Sequence, residues 1–158
     1  MKQESSHHKV VIIGGGNAGI SVGARLRRER QEDIAIIEPS DTHYYQPLWT
    51  LVGGGCAPAT ETARSQATVM PKGVHWIKER ATDIDPNNQT VSLGSGNMIG
   101  YDYLVVSPGI QLDWDNIPGL SRTLGKDGVS SNYDYDLASK TWEFLKGFRR
   151  GTAVFTMP

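Results

Sequence analysis

A single cysteine, Cys56, stands in the whole chain, which excludes an internal disulfide framework. Long apolar runs are also missing. None approaches the roughly twenty residues that a membrane-crossing helix needs. The segment Met1 to His8 is polar and lacks the apolar centre of a secretory signal, so a cytoplasmic location is the expectation. Nor is there an excess of charge of either sign: 16 Lys and Arg face 17 Asp and Glu, for a net charge of -1. That balance argues against a nucleic-acid partner or an electrostatically held membrane surface. The one basic cluster, Arg25, Arg27, Arg28 and Arg30, reads as the last turn of a helix, where cations complement the negative dipole end. The four histidines and one cysteine show no spacing typical of metal ligands. Repeats and low-complexity tracts are absent as well.

What is present is a pattern of short buried strands punctuated by glycine. Val10-Val11-Ile12-Ile13 is continuously apolar, as a parallel strand covered on both faces must be. Gly14, Gly15, Gly16, Gly19 and Gly23 follow, and from about Asn17 to Arg30 the pattern turns helical. Ile34-Ala35-Ile36-Ile37 is a second buried strand, ended by Glu38 and Pro39. Strand, turn, helix and strand make one βαβ unit of about thirty residues. The stretch around Pro47, Gly53-Gly54-Gly55 and Pro58 reads as loop, with Trp49 and Leu51 as core residues. Val74-Ile77 resumes strand character, and Thr82-Asp85 with Gln89-Leu93 reads as an antiparallel meander across a Pro86-Asn87-Asn88 turn. Leu104-Val105-Val106 is a further buried strand, stopped by Ser107-Pro108-Gly109. After a connector, Asp136 to Arg149 has a helical apolar face, and Ala153-Val154-Phe155 looks like the start of one more strand. A chain that stops there leaves an edge unpaired, which reads as truncation.

One motif carries chemistry. Gly14-x-Gly16-x-x-Gly19 lies between a buried strand and a helix, and Glu38 ends the next strand nineteen residues past Gly19. This is the dinucleotide fingerprint. Gly14 permits the tight turn, Gly16 lets backbone approach a pyrophosphate, and Gly19 allows close helix–sheet packing. The phosphates then meet the free N–H groups and positive dipole of the helix N-terminus, at Gly15, Gly16, Asn17 and Ala18. A carboxylate at Glu38 accepts hydrogen bonds from ribose hydroxyls and repels a 2′-phosphate.

The rest of the chain resembles the two-dinucleotide-binding-domain flavoproteins, and among them the mitochondrial-type sulfide:quinone oxidoreductases. Tyr101-Asp102-Tyr103-Leu104-Val105-Val106-Ser107-Pro108-Gly109 is similar to the strand and short turn that lie beside the cofactor in that superfamily. It differs in having Ser107-Pro108 where a small residue and threonine are usual. His43-Tyr44-Tyr45-Gln46-Pro47-Leu48-Trp49-Thr50-Leu51-Val52-Gly53, Val74-His75-Trp76-Ile77-Lys78, Gly109-Ile110-Gln111-Leu112-Asp113 and Ser131-Asn132-Tyr133 resemble the sulfide:quinone group in particular. The resemblance runs from about residue 8 to the end. It implies FAD as cofactor, an α/β Rossmann-like FAD-binding domain with a β-meander, and sulfide and quinone as partners of the intact parent. It also implies cofactor contacts for Pro39, Gln46, Pro47, Arg80, Ala81, Ser107 and Gly109, beside those of the glycine motif and Glu38.

The expected division is a disordered 1–8, an FAD-binding segment 9–112, a connector 113–134, and the incomplete start of a second Rossmann-like domain at 135–158. The family's redox cysteines fall beyond Pro158 and later, and Cys56 matches neither. It reads as a buried or half-buried thiol, and His43 and His75 as hydrogen-bonded structural residues. No catalytic residue and no metal ligand is assigned, and the fragment alone is expected to be inactive. Two rival readings stay open: an NAD-dependent Rossmann enzyme such as a type II NADH dehydrogenase, and a nucleotide-binding module without catalysis. The absence of glycine in Thr156-Met157-Pro158 speaks against a second dinucleotide fingerprint.

Overall fold

The computed structural model describes residues 5–156. Along the chain run β1 (Ser5–Ile13), α1 (Asn17–Arg28), β2 (Ile34–Ile37), β3 (Thr42–Tyr44), α2 (Trp49–Gly53), β4 (Ala63–Ser65), α3 (Gln66–Val69) and β5 (His75–Ile77). β6 (Ala81–Asp85), β7 (Thr90–Leu93), β8 (Met98–Val106), α4 (Leu120–Thr123) and α5 (Tyr135–Gly147) follow. They fall into two compact units. One holds the residues up to Tyr44 and Arg64–Ile110, and the other holds Tyr45–Ala63 and the residues from Gln111 onward.

The first unit is built on a six-stranded sheet in the order β5-β2-β1-β8-β7-β6. β5, β2, β1 and β8 are mutually parallel, while β6 and β7 add the antiparallel meander. Side chains alternate across a strand, so β1 and β2 feed two cores. Val11, Ile13, Ala35 and Ile37 pack with Val91, Leu93, Ile99 and Tyr101 on one face. On the other, Val10, Ile12, Ile34 and Ile36 meet Val22 and Leu26 of α1 with Met70, Val74 and Val105. Burying one Val or Ile side chain contributes about 1.5–3 kcal/mol. All four residues of β2 are buried, which fixes the strand that carries Glu38 at its end.

α1 stops at Arg28, two residues short of the expected end. Arg30 takes a left-handed φ of 60°, and the Gln31 N–H closes back on the Leu26 carbonyl at 2.9 Å. At the other end of β1 the expected disorder of 1–8 is corrected for residues 5–8. Ser5, Ser6, His7 and His8 pair with Met98 to Tyr101 of β8, whose nine residues provide a longer partner than Leu104–Val106 alone suggested. Residues 1–4 lie outside the described part.

The second unit has a small core of Trp49, Val52 and Ala138, flanked by Ala57, Ala59 and Tyr135. The stretch expected to be loop folds as a 3-10 turn, Gln46–Leu48, running into α2. The Trp49 Nε1–H reaches the Thr62 hydroxyl at 3.0 Å. Leu51, expected in the core, is 46% exposed, because two residues along a helix is about 200° of rotation away from Trp49. α5 is capped by Asp134, whose carboxylate accepts the N–H groups of Asp136 and Leu137 at 2.9 and 3.1 Å. Cys56 is exposed rather than buried, since it follows the glycine turn that closes α2. Among the described residues the expected strand Ala153-Val154-Phe155 pairs with no other strand, and Val154 and Phe155 are 80% and 72% exposed. A strand needs a neighbouring backbone to satisfy its polar groups, and the described residues offer these three none. Met157 and Pro158, from the same expectation, lie outside the described residues.

Candidate functional site

The fingerprint glycines sit where the parallel strands of the first unit end. Gly14 adopts φ +98°, a conformation unfavourable for residues with a Cβ. A side chain there would also run into the Ser107 carbonyl oxygen. Gly19 is buried, and a Cβ on it would strike the Gly14 carbonyl oxygen. The turn and the first helical turn are therefore welded together by the absence of two side chains. Gly16 behaves differently: a Cβ there meets no heavy atom within 4 Å. The backbone at Gly16 faces open space, at the N-cap of α1, with no side-chain cap and no acidic residue in the first turn. Asn17 and Ala18 beside it are exposed. First-turn N–H groups have no intrahelical acceptor, so this end of α1 is free to hold an anion.

Glu38 is turned toward that turn, and it is held on every side. Its N–H donates to the Ile77 carbonyl at 3.0 Å. Its carbonyl accepts the Trp76 Nε1–H at 2.8 Å. One carboxylate oxygen accepts the Gly15 N–H at 2.8 Å and the other the Ser40 N–H at 2.7 Å. Each carboxylate oxygen has capacity for more than one donor, so the group retains acceptor sites for hydroxyls while its direction is fixed by backbone.

Two residues outside the fingerprint complete the turn. Gln66 is buried at 1% exposure; its Nε2 donates to the Gly15 carbonyl at 2.8 Å, and its own N–H is bound by the Asp41 carbonyl at 2.8 Å. His43 is buried with Nε2 at 3.2 Å from the Asn17 side-chain oxygen. Its expected structural, hydrogen-bonded role is what this contact describes. Gln66 belongs to no motif and lies 51 residues from Gly15, so no sequence signal pointed to it. Trp76 was visible only as part of a family-like stretch.

Of the other expected contacts, Ser107 is brought to the turn but spends its N–H and its hydroxyl on the Ile13 carbonyl, at 2.8 and 3.0 Å. Gly109 is exposed with φ +80°, and Pro39 is exposed next to Glu38. The Arg80 carbonyl accepts the Gly94 N–H at 2.9 Å, and Ala81 opens β6. Gln46 and Pro47 belong to the second unit, half-buried and exposed respectively. In that unit a cleft of about 430 Å³ is lined by Val52, Cys56, Pro58, Trp142 and Glu143 among others. Its thiol, Cys56, donates to the Gly54 carbonyl at 3.7 Å, and the Glu143 carboxylate of the same lining is paired with Lys140 at 2.9 Å, so no thiol–base pair of the kind that nucleophilic catalysis needs is formed.

The chain is 47% identical over 153 residues to the mitochondrial sulfide:quinone oxidoreductase of Dictyostelium discoideum, covering 95% of this chain and 34% of that protein. It is 42% identical over 154 residues to the mitochondrial sulfide:quinone oxidoreductase of Mus musculus, covering 97% of this chain and again 34% of the relative. The crystal structure of the sulfide:quinone oxidoreductase from Aquifex aeolicus superposes with a TM-score of 0.71 at 29% identity, over 89% of this chain and 32% of that one. The chain thus spans about a third of the length of these relatives. The family described as pyridine nucleotide-disulphide oxidoreductase matches residues 8–142, and with the parallel sheet, the glycine turn and its glutamate in place, the chain belongs to that family.

Proposed function

We propose that this chain binds the adenosine diphosphate end of FAD and supplies the first nucleotide-binding part of a sulfide:quinone oxidoreductase. The observation that carries the reading is the pairing of an open, uncapped helix start at Gly16 with a carboxylate aimed at Gly15 and fixed by two backbone donors. A pyrophosphate suits the first, and a ribose with free hydroxyls suits the second. The residues present fit the group. Gly14 to Gly19 would hold the pyrophosphate, Glu38 the adenosine ribose, and Pro39, Arg80 and Ala81 the surroundings of the adenine. Ser107 and Gly109 would line the remainder, and for Gln46 and Pro47 the support for a cofactor contact is the family resemblance alone.

Bound FAD supplies two-electron redox chemistry between a donor and an acceptor. The relatives named above indicate the pair: sulfide gives up two electrons to become zero-valent sulfur, and a quinone takes up two electrons and two protons. Nothing in this chain is assigned a chemical step. Its residues bind and orient the cofactor, with Gln66 and Trp76 keeping Gly15 and Glu38 in position. Residues 135–158, with α5, are read as the incomplete beginning of a second nucleotide-binding-like domain. Among the described residues no helix is long and apolar enough to cross a membrane. For the intact parent the reading is a peripheral position at the inner face of the membrane, held through its C-terminal part and not through this chain, which fractionation checks.

The direct test is titration of the purified chain with FAD and, separately, NADH, read by absorption and flavin fluorescence. FAD is expected to bind in preference, and Glu38→Arg to weaken it by tenfold or more, the order of one lost charge-assisted contact. Preference for NADH, or unchanged FAD affinity in Glu38→Arg, would overturn the assignment.

A further inference from the structure

The opposite end of the same parallel strands carries a cluster of side chains that the nucleotide turn does not use. His8 lies on β1, Asp33 immediately precedes β2, and His75 is the first residue of β5. Because the sheet order is β5-β2-β1, with Val10 opposite Ile34 and Ala35 opposite His75, three residues distant in sequence become neighbours along one sheet edge. Each offers one ligand atom, and the three atoms lie within 4.8 Å of one another. His8 Nδ1 is 2.7 Å from Asp33 Oδ1, and the His8 and His75 rings lie 5.1 Å apart, inclined by 36°. The other carboxylate oxygen of Asp33 accepts the Lys9 N–H at 2.9 Å, so the carboxylate is oriented by backbone just as metal-binding carboxylates commonly are.

We propose that His8, Asp33 and His75 form a three-ligand site for a late first-row divalent cation such as Zn²⁺. The donor set selects the ion. Two imidazoles and one carboxylate suit Zn²⁺ or its neighbours, whereas Ca²⁺ and Mg²⁺ require oxygen ligands throughout. A His–Asp hydrogen bond alone would account for His8 and Asp33 but gives no reason for the second imidazole beside them. The cation takes the place of the proton shared between His8 Nδ1 and Asp33 Oδ1. Water fills the remaining coordination, since Asp33 and His75 are exposed. Joining the N-terminal edges of three adjacent strands, the ion stabilises the sheet without touching the nucleotide turn.

The test is calorimetric titration of the chain with ZnCl₂ in a non-chelating buffer, with Co²⁺ as the spectroscopic probe. One equivalent of saturable Zn²⁺ binding is expected, and Co²⁺ should develop the intense visible bands of a four- or five-coordinate site. His75→Ala removes an exposed side chain and should lower affinity at least tenfold. Asp33→Asn, which keeps the shape, should do the same, while His7→Ala should leave binding intact because His7 pairs with Asp102 instead. Absence of saturable binding, binding that survives in both His75→Ala and Asp33→Asn, or loss confined to His7→Ala would each overturn the site. FAD titration of the same variants reads the nucleotide turn independently, so failure of one proposal is distinguishable from failure of the other.

Discussion

The two ends of the parallel strands are made by different means. At the carboxyl ends of β1 and β2 the groups proposed to bind are backbone groups, and the turn takes its shape from side chains that are missing. Gly14 and Gly19 must be bare for the turn to close, and the carboxylate of Glu38 is held by the N–H groups of Gly15 and Ser40. At the amino ends the backbone is ordinary strand, and the chemistry comes from His8, Asp33 and His75. A site made of backbone is rigid and intolerant of substitution, whereas a site made of exposed side chains exchanges residues at little cost to the fold. The contrast teaches that sensitivity to mutation should differ sharply across about one strand length of the same sheet.

The largest expected effect is at the carboxyl end. Gly19→Ala forces a methyl group into the Gly14 carbonyl, where neither helix nor strand has room to yield, and should cost about 3 kcal/mol or more in denaturant unfolding. A loss below about 1 kcal/mol would mean that α1 shifts freely, and the rigid half of the contrast would fall. Next comes Gln66→Leu, which leaves the Gly15 carbonyl buried without its donor. Such orphaned groups cost about 1–3 kcal/mol. FAD affinity should fall with it, because the Gly15 N–H that orients Glu38 is on the same residue. Stability lost with FAD binding untouched would separate the turn from the binding site.

The smallest effect belongs to the amino end. Asp33→Asn removes an exposed pair and should change metal-free stability by no more than about 1 kcal/mol. Its pH dependence has a definite sign. The hydrogen bond from His8, and then that from the Lys9 N–H, hold the Asp33 carboxyl below its ordinary value. A depressed carboxyl contributes stability above its unfolded pKa of about 3.9, and that contribution disappears as pH falls through the lower folded value. Melts of the parent and of Asp33→Asn should therefore converge in acid and diverge above about pH 4. Curves that stay parallel throughout would remove the His8–Asp33 hydrogen bond from the account.

Much of the carboxyl end was legible in advance because its parts are contiguous or regularly spaced. A glycine too close to another backbone leaves a mark in the sequence, and an acidic residue at the end of the next buried strand has a fixed offset. Gln66 and Trp76 left no such mark, since a glutamine or tryptophan acquires its role only from what faces it. The errors have the same origin. Residue type points Cys56 to a buried or half-buried place and Leu51 to the core, but the short helix before Cys56 has only one face to bury. The apolar Ala153-Val154-Phe155 has the composition of a strand, and composition supplies no partner.

The sequence by itself determined the βαβ unit, its glycine turn and the acidic residue that answers it, because the hydrophobic run of a doubly covered strand and the bare backbone of a tight turn are properties of neighbours in the chain. Tertiary structure alone decided that His8, Asp33 and His75 share an edge, that Gln66 reaches Gly15, and that Trp76 pins Glu38. These contacts depend on strand order and register, which set distances between residues that the chain keeps far apart.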